Sequence, residues 1–124
     1  MKNKRPVNLD LRTIRLPLPA IVSILHRASG VVLFLLIPLL LWMLQMSLTS
    51  AWTYTQLQDL LLHPLVKIVI FGLLASLIYH LVAGVRHLFM DAHIGDTKEG
   101  GRLGAKCVMF VSAVLIILVG VWLW

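Results

Sequence analysis

Residues 31–44 read VVLFLLIPLLLWML, an apolar run without a single charge. It widens to residues 21–45, which matches the roughly 20 helical residues that cross a hydrocarbon core. Pro38 is a candidate kink within it. Two further runs follow. Residues 65–90 form the second, opened by Pro64, a residue suited to the first turn of a helix. Residues 107–124 form the third and barely reach the required length. Nowhere do apolar residues alternate with period two over several tens of residues, which argues against a β-barrel. The expectation is an all-α membrane protein with three transmembrane helices, forming one anchor domain over residues 1–124.

Composition points the same way. Of 124 residues, 60% are hydrophobic and 13% charged, whereas a soluble domain carries about 25% charged residues. The mean hydropathy is +0.94. Ordinary soluble, disordered and collagen-like classes are excluded. The net charge is +6, and the basic residues flank the apolar runs, so membrane orientation explains them and nucleic acid is not an expected partner.

The segment 1–19 holds Lys2, Lys4, Arg5, Arg12 and Arg15 against the single acid Asp10. The connection 91–106 carries Lys98, Arg102 and Lys106 and is made pliant by Gly95, Gly100, Gly101 and Gly104, whereas the connection 46–63 has Asp59 and neither Lys nor Arg. The positive-inside rule then puts the N-terminus and 91–106 in the cytoplasm, and the C-terminus and 46–63 on the periplasmic side. Trp42, Trp52, Trp122 and Trp124 gather near the outer interface, as belt aromatics do. Pro17 and Pro19 disfavour helix before Ala20. The segment is not read as a signal peptide, because the apolar run begins too late and is too long. It also differs from the serine-rich, acid-free composition of a mitochondrial transit peptide, so a bacterial inner membrane is expected. Cys107 is the only cysteine. It can form no internal disulfide and hold no iron–sulfur cluster, and there is no Cys-x-x-Cys-His stretch for covalent haem.

An anchor needs no polar residues in its spans, and ionisable groups at membrane depth mark function by default. Two clusters stand out. Ser23, His26, Arg27 and Gly30 occupy positions i, i+3, i+4 and i+7 and share a helical face near the cytoplasmic surface. Their donors suit a quinone carbonyl, which becomes negative on reduction. They suit a haem propionate equally well. The bland alternative is that Arg27 snorkels to the headgroups.

His80, Gly84 and His87 form the second cluster at i, i+4 and i+7, with Arg86 beside them. His80 lies about 15 Å from the helix end at 1.5 Å per residue. A neutral imidazole at that depth could ligate haem iron, or pack against a hydroxyl of a neighbouring helix. Gly84 would clear space for a flat macrocycle. His87 is about 10.5 Å from His80 along the axis, too far for both to bind one iron. With Arg86 it lies where propionates could be held. His63 and His93 read as loop histidines, and Asp91 as a helix end that pairs with Arg86 or with another chain. Met43, Met46 and Met90 read as packing. If His80 binds haem with two protein ligands, the second must come from another subunit, since the chain offers no second deep histidine.

These residues resemble the cytochrome b subunit of succinate dehydrogenase (complex II), in its bacterial form. The resemblance rests on residues 5–11, RPVNLDL, continuing to Ser23-x-x-His26-Arg27-Ala28-Ser29, and on residues 80–91, HLVAGVRHLFMD. It covers most of the chain; one departure is His93, where the family usually has a small residue. The resemblance implies that His80 is the axial ligand of haem b. It implies that Ser23 and Arg27 belong to a ubiquinone site, and that Arg27 with His26 lies in the region contacting the haem propionates; His87 and Gly84 join the expected haem b pocket by their spacing from His80. It further implies a second membrane anchor subunit supplying the other haem ligand, an iron–sulfur subunit and a flavoprotein carrying FAD. The function expected is a membrane anchor that passes electrons to ubiquinone and is not itself catalytic toward succinate. A guanidinium does not release a proton at physiological pH, so water or a partner side chain would be the proton source. The rivals are a fumarate reductase anchor and a haem-free structural anchor. A small transporter ranks last, because all five acids lie outside mid-membrane positions.

Overall fold

The computed structural model describes residues 7–10 and 12–124. Lys2, Lys4, Arg5, Pro6 and Leu11 of the basic segment lie outside the described residues. The regular elements of the described residues are all helices: α1 is Leu18–Thr49, α2 Ala51–Leu62, α3 Pro64–Asp91 and α4 Lys98–Leu123. Three of these, α1, α3 and α4, are long and apolar enough to cross a membrane.

The three expected spans are present, with corrected limits. α1 begins at Leu18 rather than near residue 21, because Pro19 sits in the first turn, where its missing N–H costs nothing. The helix then runs through Pro38 without interruption to Thr49. The connection expected over 46–63 contains a helix. Ser50 caps α2 by accepting from the Thr53 backbone N–H, while the Thr53 hydroxyl accepts from the Ser50 N–H. This reciprocal capping box starts the helix, and Leu57 buries its inner side. His63 is more than a solvated loop residue: its ring Nδ1 accepts from the Leu65 N–H at 3.3 Å and caps α3.

α4 begins at Lys98, nine residues before the expected start. Thr97 caps it by accepting from the Gly100 N–H at 3.0 Å, and Glu99 lies in its first turn, where negative charge suits the helix dipole. Gly100, Gly101 and Gly104 are therefore helical rather than a pliant linker. The turn before α4 uses positive φ at His93 (59°) and Gly95 (73°), and an exposed His93–Asp96 pair at 3.1 Å spans it. Before α1, Asn8 and Asp10 close a turn in which the Asn8 amide donates to the Thr13 hydroxyl at 2.9 Å and Asp10 accepts from the Arg12 N–H at 3.0 Å.

α3 packs against both α1 and α4, and α1 also meets α4. The buried cluster is Val22, Ala83, Ala105 and Val108, at the end where α1 starts, α3 finishes and α4 starts. Tyr79 ties this end by donating to the Val22 carbonyl at 3.0 Å. At the opposite end α2 lies across α1 and α3, Lys67 donates to the Leu123 carbonyl at 3.1 Å, and Phe71 meets the Trp124 ring edge to face. Trp42, Trp52, Trp122 and Trp124 are all exposed. Most other large apolar side chains of the spans also point outward, which in water would be an aggregation hazard and in lipid is the ordinary solvent-facing surface.

Candidate functional site

The site forms between α1 and α3. His80 turns toward α1, and its Nδ1 lies 3.1 Å from the His26 backbone carbonyl and 3.1 Å from the Ser29 hydroxyl. A carbonyl oxygen only accepts, so Nδ1 carries the proton and donates it. The neutral ring then keeps its lone pair on Nε2. Ser29 donates from Oγ to the same His26 carbonyl at 2.7 Å. Gly30 makes the approach possible: a Cβ there would stand 3.0 Å from His80 Cε1.

His26 lies over His80, with ring centroids 4.1 Å apart and planes 15° from parallel. His87 follows at 5.0 Å from His26, tilted by 47°. Three imidazoles from two helices thus form a column. With Leu81, Gly84, Val85 and Leu88 they line an open cavity of about 420 Å³. Gly84 faces His26, where a Cβ would meet Nε2 at 3.4 Å, so it makes room for that imidazole.

Several expectations change. His26 is level with His80 rather than nearer the surface, so the chain does bring a second histidine to that depth. The two rings are stacked face to face, so their nitrogens do not point at one another. Arg86 does not join His87. It is buried, at 8% exposure, and faces α4, where Nη2 donates to the Gly101 carbonyl at 3.1 Å. Helical geometry explains this: successive residues are rotated by about 100°, so neighbouring positions cannot share one face. Asp91 is exposed, and among the described residues its carboxylate takes part in no ion pair, so it does not pair with Arg86.

Ser23 is half-buried and Arg27 exposed, both on α1 beside His26. Among the described residues neither side chain takes part in a hydrogen bond, which leaves a hydroxyl and a guanidinium available one turn apart. Ser29, to which sequence reasoning gave no role, is the residue it missed. Its signal was present: a serine three residues after a histidine on a helix can bond back to that residue's carbonyl.

Comparison with known proteins agrees with this architecture. Residues 1–119 match the succinate dehydrogenase/fumarate reductase transmembrane subunit family. The succinate dehydrogenase cytochrome b556 subunit of Coxiella burnetii is 44% identical over 125 residues, covering 100% of both chains. That of Paracoccus denitrificans is 35% identical, covering 94% of this chain and 90% of the relative. That of Rickettsia prowazekii is 34% identical, covering 96% and 93%.

Proposed function

Because this chain belongs to the succinate dehydrogenase/fumarate reductase transmembrane subunit family, we propose that it is the cytochrome b anchor of a bacterial succinate:ubiquinone oxidoreductase. In this reading it lies in the inner membrane with its N-terminus and the α3–α4 turn in the cytoplasm. Lys98, Arg102 and Lys106 support that orientation; all three are exposed in the first turns of α4, where they serve the positive-inside rule as well as a loop would.

The observation that carries the proposal is the seat of His80. Its Nδ1–H is engaged by α1, and Nε2 is left as a lone-pair donor beside an open cavity. That is the donor chemistry an axial position requires. Haem b, when bound, supplies a one-electron carrier. His80 would hold it from this chain, His26 and His87 would border it, and a second anchor subunit would provide another ligand and the missing wall. Ser23 donates a hydrogen bond to a ubiquinone oxygen, and Arg27 stabilises the negative charge that grows there on reduction. An iron–sulfur subunit delivers the electrons, and a flavoprotein carrying FAD oxidises succinate.

His80→Ala in the purified complex is expected to abolish the bis-histidine low-spin haem spectrum; an unaltered spectrum rejects the ligand assignment. Ser23→Ala and Arg27→Leu are expected to slow quinone reduction while succinate oxidation by a soluble dye continues. Wild-type quinone rates in both variants reject the quinone site.

A further inference from the structure

We propose that Ser29, together with the His26 backbone carbonyl, is the positioning element that fixes the tautomer and the ring rotation of His80 for haem ligation. The inference rests on the reading of His80 as an iron ligand and extends it to a residue given no part in the quinone site, six positions after Ser23 and two after Arg27 on α1.

The geometry is cooperative. Ser29 is buried, at 8% exposure, so its hydroxyl must find partners inside the protein. It donates to the His26 carbonyl at 2.7 Å, and its remaining lone pairs face His80 Nδ1 at 3.1 Å. The same carbonyl lies 3.1 Å from Nδ1. In an α-helix the carbonyl of residue 26 also serves the N–H of residue 30. One carbonyl with two lone pairs therefore faces three donors. Sharing the imidazole proton with Ser29 relieves that crowding. The serine hydroxyl accordingly acts as the second acceptor of the Nδ1–H, and two acceptors held on α1 restrict the rotation of the ring.

A steric wall completes the seat. The missing Cβ of Gly30 leaves His80 Cε1 at the limit of contact, 3.0 Å from where that atom would be. On the other face the His26 ring covers the imidazole at 4.1 Å. Hydrogen bonds thus set which nitrogen is free, and packing sets where it points. Partners of this kind orient a ligating histidine and raise its basicity, and their loss typically costs about 10–100-fold in metal affinity.

The test uses the whole purified complex, with haem release to excess apomyoglobin and the electron paramagnetic resonance of the oxidised haem as readouts. Ser29→Ala is expected to keep a low-spin haem, to shift its g values and to release haem about 10–100-fold faster. Ser29→Thr, which keeps the hydroxyl, is expected to restore both. Wild-type g values and release from Ser29→Ala overturn the positioning role, and if His80→Ala meanwhile loses the low-spin signal, the ligand assignment survives on its own. A low-spin signal unchanged in His80→Ala overturns that assignment and this inference with it. Should Ser29→Ala fail to assemble, Ser29→Cys keeps the side-chain size with only a weak donor and acceptor, and the same pair of readouts decides.

Discussion

Toward α1, helix α3 presents His80; toward α4, six residues later, it presents Arg86. Both side chains carry nitrogen, both approach a backbone carbonyl of the facing helix, and both need a glycine opposite. At the first seam the glycine is Gly30, the carbonyl is that of His26, and the ring remains beside an open cavity. At the second the glycine is Gly104, 3.2 Å from Arg86 Nε when given a Cβ, and the carbonyl is that of Gly101. There the side chain is buried, at 8% exposure, and Nε has no partner among the described residues. The same device, a small residue admitting a polar group to the facing backbone, yields a site in one place and a brace in the other. Whether neighbours leave a lone pair accessible decides which. His80 keeps one on Nε2; a guanidinium has none to offer.

The comparison breaks most visibly if the two glycines are filled. Gly30→Leu is expected to displace His80 and remove the low-spin haem spectrum while the α3–α4 seam stays closed. Gly104→Leu is expected to force α3 and α4 apart, at about 1–3 kcal/mol or more of overpacking, and to lower the thermal midpoint of the complex. Identical spectra and midpoints in the two variants would erase the distinction between the seams.

A subtler change sharpens it. Arg86→Met removes the bond to Gly101 and is expected to cost about 1.5–3 kcal/mol, the range for hydrogen bonds of charged groups, read as a lower thermal midpoint with an unaltered haem spectrum. A haem spectrum that changes with Arg86 would join the seams into one unit. The smallest effect belongs to a position touching neither. Ser50→Ala removes the capping box of α2 and is expected to cost about 1 kcal/mol, visible as faster amide exchange over Ala51–Leu62 and nothing in the haem region.

Much of this was legible in the amino-acid order. Charge-free runs of membrane-spanning length had no other reading, and His80 was conspicuous because a deep imidazole is costly without a partner. The polar ends were harder. α2 was hidden because its residues mix Gln, Thr and Asp with Leu, and only the Ser50–Thr53 pair announces a helix start. The first turns of α4 were hidden by three glycines, which read as a flexible linker until Arg86 is seen lying against them. Arg86 itself lay one position from His87, and adjacency in sequence suggested a shared role that helical rotation forbids.

Sequence by itself determined that the chain is helical and dissolved in lipid, and that histidines, a serine and arginines sit where lipid would not tolerate them idly. Those are properties of composition and period, which need no neighbour to be read. Only the tertiary structure decided which nitrogen of His80 is free, that His26 stacks on it instead of opposing it, that Ser29 holds it, and that Arg86 serves the other seam. Each depends on the separation and rotation of two helices, quantities that arise from packing small residues against one another and that no single segment encodes.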